Sequence, residues 1–172
     1  MTDAPFVIAG LSGGHDQASF SCGVEPLDRY FRQQASQDIR RRVANCFVMT
    51  EAATDLVAGY YTLAAANVRL TELPAATTAK LPRYPSIPAA LLGRLAVSSS
   101  FQARKLGSVL LTDAIARTAR ADVGAFAVLV DPKDDAARSF YARHAFMEFP
   151  PPERRMFIPI EAAPRIFQSR RN

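Results

Sequence analysis

The sequence predicts a mixed α/β domain in which strands dominate the first half and a strand–helix–strand–helix unit occupies the second. Residues 125–131 (AFAVLVD) form a nearly continuous apolar run, which is typical of a strand covered on both faces. Residues 107–115 carry apolar side chains at helical spacing, which predicts a helix with one buried stripe. The 172 residues, 49% of them hydrophobic, suffice for one domain with a sizeable core.

The first half contains three predicted strands and one predicted helix. Strands are expected over residues 5–11, 44–50 and 56–66. The residues EAATD between the second and third strands have a length that fits a hairpin turn. A helix is expected over residues 25–41, because Pro26 suits its first turn and an apolar stripe follows at helical spacing. The stripe consists of Leu27, Tyr30, Phe31, Gln34 and Ala35.

A long connection separates these elements from the strand expected over residues 91–98. It covers residues 67–91 and contains Pro74, Pro82, Pro85 and Pro88. Long connections without regular structure are uncommon in compact domains, and they are usually functional or mobile. We therefore expect an irregular functional loop in this part of the chain.

The second half alternates helices with strands. A helix over residues 105–120 has one apolar face, formed by Gly107, Leu110, Leu111, Ala114 and Ile115. The strand over residues 125–131 follows, and a second helix over residues 133–144 has a stripe of Ala136, Ala137, Phe140, Tyr141 and His144. Short strands over residues 146–149 and 155–160 complete the predicted fold.

Composition limits the class of protein. We place the domain at residues 1–162 and expect residues 163–172 to form a basic, frayed tail. No apolar run approaches the roughly 20 residues of a membrane helix, and the N-terminus does not read as a signal peptide. We therefore expect a cytoplasmic protein without a membrane partner. Neither Cys22 nor Cys46 has a metal-ligand spacing, which favours reduced thiols and no metal site.

The chain is basic, with a net charge of +5. Of its 21 basic residues all but Lys80, Lys105 and Lys133 are arginine. Arginine binds phosphate in a bidentate geometry, so the excess favours a phosphorylated or nucleic-acid partner. A GC-rich genome would produce the same excess, and composition does not separate these two explanations.

The passage from the strand over residues 91–98 to the next helix has the chemistry of an anion site. A helix N-terminus offers unpaired N–H groups and a partial positive charge, and Gly107 lets a ligand approach the backbone. Arg104 and Lys105 add positive charge. These features predict a phosphate or pyrophosphate site at residues 102–108. A basic turn with a conventional helix cap explains the same residues, and both interpretations stay open at this point.

This turn resembles the pyrophosphate loop Q/R-x-x-G-x-G/A of the GNAT N-acetyltransferases through Gln102, Lys105 and Gly107. Lys105 stands where the family has a glycine, and the amides can still converge if φ at Lys105 is negative. The preceding LGRLAV segment (residues 92–97) resembles the GNAT strand that splays from its neighbour at a bulge. The resemblance implies the GNAT fold, with a central mixed, mostly antiparallel twisted sheet, splayed at that bulge, and helices on both faces.

The resemblance also implies a cosubstrate, acetyl-CoA, and the residues that bind it. Residues 134–146 resemble the late GNAT helix N-x-x-A-x-x-x-Y that ends in Gly-Phe, with Asp134 replacing the asparagine and Ala145 the glycine. The backbones of Leu95 and Val97 would contact the acetyl and pantetheine groups. The implied cofactor-binding residues are Leu95, Ala96, Val97, Gln102, Ala103, Arg104, Lys105, Leu106, Gly107, Ser108, Asp134, Ala137 and Phe140.

A narrower resemblance extends over about residues 20 to 160. Its segments in chain order are FSCGVEPLDRY (20–30), GYYTL (59–63), LGRLAV (92–97), FY (140–141) and RMF (155–157). Together they resemble the GNAT toxins of bacterial type II toxin–antitoxin systems. Those toxins acetylate the α-amino group of aminoacyl-tRNA and block translation. The resemblance implies a ribbon-helix-helix antitoxin as a partner and a homodimer.

Tyr141 is the candidate general acid for this chemistry. A phenol with a pKa near 10 stays protonated at neutral pH and can protonate a leaving thiolate. Its position matches that of the family's catalytic tyrosine, while a core tyrosine with a satisfied hydroxyl is the structural alternative. The strand over residues 91–98 contains no Asp or Glu, which fits an α-amine of pKa about 7.7–8.0 that needs little or no base. Glu72 or a carboxylate on another strand remains open as a base.

Basic residues are the candidates for contacts with tRNA phosphates, in which case affinity should fall with salt. They are Arg29, Arg32, Arg40, Arg41, Lys80 and Arg83, and Tyr84 is a candidate for stacking on the unpaired acceptor end. Each arginine by itself also fits a solvated surface charge.

Two other functions stay open. One is a GNAT enzyme acting on a small amine or a protein N-terminus; the other is a non-catalytic acetyl-CoA-binding module, for which Lys105 and Ala145 are the reason.

Overall fold

The computed structural model describes residues 5–162, and the chain divides into two compact units. The first unit consists of Met1–Ala64 and Gly93–Ala114. The second unit consists of Ala65–Leu92 and Ile115–Asn172. The predicted tail over residues 163–172 lies outside the described residues.

The elements confirm the mixed α/β class. The strands are β1 (Phe6–Gly10), β2 (Asn45–Glu51), β3 (Val57–Arg69), β4 (Ser86–Val97), β5 (Ala127–Val130), β6 (Met147–Glu148) and β7 (Met156–Pro159). The helices are α1 (Glu25–Gln33), α2 (Ala35–Arg40), α3 (Ala75–Thr78), α4 (Leu106–Arg120) and α5 (Asp135–Arg143). Short 3₁₀ turns lie at Leu70–Glu72, Ser99–Phe101 and Ile160–Ala162. The seven strands follow the order β1-β2-β3-β4-β5-β7-β6, and β4 and β5 form a parallel pair in a mostly antiparallel sheet.

The first unit is built on a β1-β2-β3 antiparallel meander, whose β2–β3 hairpin is the one predicted from the EAATD turn. Its core is aromatic. The Phe31 and Tyr60 rings stack with centroids 4.5 Å apart, and Phe20 meets Tyr60 edge-on at 5.5 Å. Phe31 comes from the predicted apolar stripe of the first helix, and Tyr30 and Ala35 of that stripe are buried with it. The helical periodicity therefore identified the packed face correctly.

The prediction of one helix over residues 25–41 is wrong, because the helix is interrupted at Gln34. Gln34 has φ −118° between α1 and α2, although its N–H still donates to the Tyr30 carbonyl at 2.8 Å. Its side-chain amide donates to Asp38 Oδ1 at 2.9 Å, which gives the break its own hydrogen bond. The apolar spacing continues across the break, and periodicity alone therefore does not reveal it.

The second unit surrounds β5, whose four residues are all buried. Strand β5 pairs in parallel with Ala90–Leu92 of β4 and antiparallel with β7, which also pairs with the short strand β6. A buried cluster fills this unit and consists of Val68, Leu73, Ile87, Ala89, Ala127, Leu129, Phe149 and Phe157. The complete burial of β5 is the result that its continuous apolar run predicted.

The connection over residues 67–91 is more ordered than predicted. Strand β3 continues to Arg69, helix α3 occupies Ala75–Thr78, and β4 begins at Ser86 instead of residue 91. Buried side chains at Val68, Leu73, Ile87 and Ala89 hold this segment in the core of the second unit. Pro74 occupies the N-cap position of α3, where the helix does not require an N–H, and the Pro85 carbonyl accepts from Leu70 N at 3.4 Å.

Burial along β4 changes phase part of the way along the strand. Ile87 and Ala89 are buried on odd positions, whereas Leu92 and Ala96 are buried on even positions. The resemblance implied a β-bulge in this strand, and the bulge stays a prediction. Among residues 5–162, no helix is long and apolar enough to cross a membrane.

Candidate functional site

The turn between β4 and α4 forms a nest of backbone amides. Ala103 has φ +66° and Lys105 has φ +60°, both in the left-handed region, and they alternate with residues of negative φ. This alternation turns successive N–H groups toward the same side, which is the geometry of an anion-binding concavity. The N-terminus of α4 follows directly. The anion site predicted at residues 102–108 therefore has a physical basis in the backbone.

The expectation of a negative φ at Lys105 is wrong. The nest requires the left-handed conformation at this position, which explains why the resembling family has glycine there. A non-glycine residue in this region costs about 1–2 kcal/mol. Lys105 therefore keeps the backbone path of the glycine at a cost in stability, and its exposed side chain adds a positive charge at the nest.

Side chains around the nest differ in their burial and in their charged partners. Leu106 is buried, and Gly107 and Ser108 are partly buried in the first turn of α4. The Arg104 guanidinium lies 3.8 Å from Glu51 Oε2 and 5.3 Å from the Phe101 ring centroid. Part of the charge of Arg104 is therefore already balanced within the protein. Lys105 is the cation at the nest for which no salt bridge is found within residues 5–162.

Gln102 holds the nest to the rest of the first unit. Its side-chain Nε2 donates to the Cys22 carbonyl at 3.1 Å and to the Val97 carbonyl at 3.2 Å. The amide of Gln102 is consequently occupied by protein carbonyls, so its side chain acts as an anchor for the loop. Ser99 N donates to Ser21 O at 2.8 Å and ties the same two segments together.

Asp28 completes this anchor, and sequence reasoning missed it. It is 3% exposed, and its Oδ1 accepts from Cys22 N at 2.8 Å. Cys22 thus receives a bond from Gln102 on its carbonyl and gives one to Asp28 from its N–H. The segments around Phe20 and around Gln102 lie far apart in sequence, and these hydrogen bonds bring them together in the folded unit. The sequence signal for Asp28 was an acid in the first turn of the predicted helix.

Gly59 permits close packing of β3 in the first unit. A Cβ on Gly59 would lie 2.7 Å from the Ala96 carbonyl oxygen and 2.9 Å from Leu110 Cδ1. Such distances exclude a larger residue without backbone movement, which explains the glycine of the GYYTL segment. Ala96 is buried in the core of this unit, while Leu95 and Val97 are partly buried.

Arg94 joins the neighbouring face of the first unit and was also missed. Its guanidinium carbon lies 3.5 Å from the centroid of the Tyr30 ring, which is a cation–π contact. The Tyr30 hydroxyl donates to Asp38 Oδ2 at 2.8 Å. This set links β4 to α1 and α2 through side chains that no local sequence pattern pairs.

Helix α5 of the second unit begins at Asp134. The Asp134 Oδ1 accepts from Ala137 N at 2.8 Å and so forms the N-cap of the helix. Asparagine caps helices equally well, so the exchange of the family's asparagine for Asp134 preserves this function. Within the helix Phe140 is partly buried and meets the His144 ring at 4.6 Å, and its carbonyl lies 2.7 Å from His144 Nδ1.

Tyr141 lies in the last turn of α5, in a Schellman motif. Phe146 N donates to the Tyr141 carbonyl at 3.1 Å and Ala145 N donates to the Ala142 carbonyl at 3.2 Å. Ala145 has φ +69°, the conformation for which glycine is usual at this position. The rings of Tyr141 and Phe146 meet at 5.3 Å, which is the apolar contact that accompanies the motif. The helix end therefore orients the Tyr141 ring.

Burial raises the pKa of the Tyr141 hydroxyl to about 12. The phenol is therefore protonated throughout the physiological pH range.

The thiols of Cys22 and Cys46 are buried. Burial raises the pKa of the Cys46 thiol to about 12, which makes this thiol unreactive. Within residues 5–162 no group of His, Cys, Asp or Glu side chains is arranged to hold a metal ion.

The predicted nucleic-acid contacts have different environments. Arg32 is largely engaged inside the first unit, since its guanidinium lies 3.9 Å from Glu25 and 4.0 Å from Asp28 and also donates to the Asp28 carbonyl. The other candidates are exposed: Arg29, Arg40 and Arg41 in the first unit, Lys80 and Arg83 in the second. Arg32 is thus the weakest of the candidates for an RNA contact.

A strand that ends in an amide nest at a helix N-terminus, with a glycine-dependent close contact beside it, is an arrangement that suits a phosphorylated ligand. The profile of the acetyltransferase (GNAT) family matches residues 19–146. The chain therefore belongs to the GNAT acetyltransferase family, as the sequence resemblance predicted.

Comparison with characterised proteins agrees with this assignment. A tRNA-acetylating toxin of Mycobacterium tuberculosis is 37% identical over 138 residues, which cover 79% of this chain and 81% of the toxin. The structure of AtaT complexed with acetyl-methionyl-tRNAfMet is similar with a TM-score of 0.86 and 25% identity, over 94% of this chain and 99% of that one. The structure of AtaTR bound with acetyl-CoA is similar with a TM-score of 0.81 and 25% identity, over 95% of this chain and 98% of that one.

Replacing Gln102 tests the anchor of the nest. Gln102→Met keeps the length of the side chain but removes both hydrogen bonds, so the dissociation constant for acetyl-CoA should rise about five- to tenfold. Gln102→Arg retains donors for the two carbonyls and should bind within about twofold of wild type. Isothermal titration calorimetry measures both constants. Equal affinity of Gln102→Met and wild type would show that the anchor is dispensable.

Replacing Ala145 tests the conformation that positions Tyr141. Ala145→Gly should raise the free energy of unfolding by up to about 1 kcal/mol, because glycine adopts positive φ without strain. The matched control is Ala142→Gly inside α5, which should lower it by about 1 kcal/mol. Urea denaturation followed by circular dichroism measures both changes. A loss of stability in Ala145→Gly as large as that in Ala142→Gly would contradict the strain argument.

Proposed function

We propose that this protein transfers the acetyl group of acetyl-CoA to the α-amino group of an aminoacyl-tRNA and acts as a toxin that blocks translation. The observation that carries the proposal is the amide nest at residues 103–106 followed by the α4 N-terminus, in a chain of the GNAT family. The similarity to a tRNA-acetylating toxin and to AtaT complexed with an acetylated aminoacyl-tRNA supports this choice of acceptor.

The nest suits the pyrophosphate of acetyl-CoA. Converging amides and a helix N-terminus stabilise two adjacent negative charges without any metal ion. In the proposed complex the amides of residues 103–108 and the Lys105 ammonium hold the pyrophosphate. The backbone of Leu95, Ala96 and Val97 contacts the acetyl and pantetheine groups, and Asp134, Ala137 and Phe140 are carried over from the family resemblance as further contacts.

The proposed reaction is a direct transfer. The α-amine attacks the thioester carbonyl carbon, a C–N bond forms and the C–S bond breaks. The leaving thiolate takes up one proton and the amine nitrogen releases one, which gives free coenzyme A and an N-acetylaminoacyl-tRNA. An α-amine of pKa about 7.7–8.0 is substantially neutral in the cell, so the reaction requires little help from a base.

Three acids of the first unit, Asp28, Asp38 and Glu51, already have partners within the protein, which fits a reaction without a dedicated base. Asp28 accepts from Cys22, Asp38 accepts from Tyr30 and Gln34, and Glu51 faces Arg104. The hydrogen bond from Gln34, with a smaller effect from that of Tyr30, holds the pKa of the Asp38 carboxyl below its usual range, which makes Asp38 a weaker proton acceptor. These side chains therefore organise the protein instead of deprotonating the substrate.

Tyr141 is the proposed proton donor to the thiolate. Its raised pKa keeps the proton available, and a thiolate that forms out of contact with water is itself more basic, which reduces the cost of the transfer. The exposed basic residues Arg29, Arg40, Arg41, Lys80 and Arg83 are the proposed contacts for tRNA phosphates. Arg32 belongs to this proposal only if RNA displaces its acidic partners.

Partners follow from the toxin proposal. A ribbon-helix-helix antitoxin is the proposed inhibitor, the proposed active form is a homodimer, and the proposed location is the cytoplasm. The reason to consider a non-catalytic binding module was that Lys105 and Ala145 replace family glycines. Both residues have the positive φ of a glycine, so neither replacement changes the course of the backbone.

Acetyl transfer to charged tRNA tests the function directly. With radiolabelled acetyl-CoA, label should enter aminoacyl-tRNA, and none should enter the same tRNA after its amino acid has been removed. A small amine and a peptide N-terminus serve as competing acceptors. Transfer to either of these with higher kcat/KM than to aminoacyl-tRNA would replace the proposed acceptor.

Tyr141→Phe tests the proton donor. It should lower kcat at least about 100-fold while the acetyl-CoA dissociation constant stays within about twofold, because the hydroxyl acts in the transition state. A Phe140→Leu variant, in a neighbouring ring, controls for packing and should retain most of kcat. Since the acid must be protonated, wild-type activity should not decline on account of Tyr141 until the pH approaches 12. Unchanged turnover in Tyr141→Phe would remove it from the mechanism.

A further inference from the structure

The segment between β3 and β4 forms a cavity that the proposed acetyl transfer has not used. Its volume is about 450 Å³, within the range of small-ligand sites. The aliphatic part of its wall comes from Leu70, Ala75, Ala79 and Leu81. The polar part comes from Thr78, Arg83 and Tyr84. All of these residues belong to the second unit.

The wall of the cavity is held in place by its own hydrogen bonds. Leu70 N donates to the Pro85 carbonyl at 3.4 Å, and Tyr84 N donates to the Pro82 carbonyl at 2.9 Å. Pro82 and Pro85 restrict the backbone on either side of Arg83 and Tyr84. Leu73 of the same segment is buried in the core of this unit.

Tyr84 is unusual among the aromatic residues because it is 62% exposed. The rings of Tyr30, Tyr60, Tyr61, Phe31 and Phe157 are all buried. An exposed tyrosine on a cavity whose wall is part aliphatic and part polar offers a flat face for stacking, and its ring has few side-chain torsions to immobilise on binding.

The charge around the cavity selects an anionic ligand. Arg83 is exposed on the wall, and no salt bridge within residues 5–162 involves it. Arg69 and Lys80 flank it in the same segment, and Glu72 is the only acid among residues 65–92. A ligand that fits must combine a flat apolar group for Tyr84 with a negative charge for Arg83, and an unpaired nucleotide combines both.

We propose that this cavity binds one unpaired nucleotide of the RNA substrate, with the base against Tyr84 and the aliphatic wall and the phosphate on Arg83. The inference rests on the proposed function, in that the nucleotide belongs to the tRNA that accepts the acetyl group. Every tRNA has an unpaired 3′ end, so bases without a pairing partner are available in the substrate. The cavity would add affinity for RNA without reading a base sequence, because every base has a π-face.

Direct binding tests the site separately from catalysis. Fluorescence anisotropy with a labelled single-stranded five-nucleotide RNA should show that Tyr84→Ala weakens binding about tenfold or more, whereas Tyr84→Phe, which keeps the ring, binds within about twofold of wild type. Arg83→Gln should weaken binding and reduce the slope of log affinity against log salt by about one. Val123→Ala, an exposed apolar position elsewhere in the second unit, should change nothing.

Two further measurements identify the source of the nucleotide. Coenzyme A also carries an adenine and phosphates, so the affinity of each variant for acetyl-CoA is measured by calorimetry and should equal that of wild type. With aminoacyl-tRNA as acceptor, Tyr84→Ala should raise KM about tenfold and leave kcat unchanged. A fall in acetyl-CoA affinity in Tyr84→Ala would reassign the cavity to the cofactor and overturn the proposal.

The outcomes separate this site from the proposed function. If wild type acetylates tRNA and Tyr84→Ala does so with the same KM, the cavity is not an RNA site although the function stands. If wild type binds the five-nucleotide RNA through Tyr84 but acetylates no tRNA, the nucleotide site stands and the function fails. Absence of RNA binding by wild type, or equal binding by Tyr84→Ala, overturns the site.

Discussion

The left-handed backbone at Ala103 and Lys105 is the constraint on which the rest of the first unit depends. Without that conformation the amides ahead of α4 would point in different directions, and they could not bind one ligand together. The loop does not hold this conformation alone. Gln102 fastens it to Cys22 and Val97, and the buried Asp28 fastens Cys22 in turn. The nest is therefore a product of α1, β4 and the loop acting as one hydrogen-bonded assembly.

A residue with positive φ also occurs just after α5. Ala145 takes a positive φ so that Phe146 can bond back to the Tyr141 carbonyl and pack against its ring. In both units a residue with a Cβ occupies a conformation that suits glycine, at a cost of about 1–2 kcal/mol each. Such a cost is tolerated where the surroundings determine the conformation, and residues in strained conformations of this kind cluster at functional sites.

Helix α1 has one face packed in the core of the first unit and an opposite face exposed to solvent. Its inner face contributes Tyr30 and Phe31 to the aromatic core and Asp28 to the anchor of the nest. Its outer face presents Arg29 to solvent, while Arg32 is drawn into ion pairs with Glu25 and Asp28. A substitution intended to test RNA binding at Arg32 would therefore also disturb the anchor, whereas Arg29 offers a cleaner test of surface charge.

The sequence by itself determined the class of fold, the buried stripe of α4, the buried strand β5 and the family. These features depend on side-chain periodicity and on local backbone chemistry, both of which can be read from short segments of sequence without knowledge of tertiary contacts. Tertiary structure alone decided the break at Gln34, the ordered course of residues 67–91, and the inward use of Gln102, Asp28 and Arg94. Gln102 and Cys22 are 80 residues apart in the chain, so their bond exists only after the strands have assembled. Long-range pairing of this kind leaves no mark on local spacing, because it depends on which surfaces the packed core brings together.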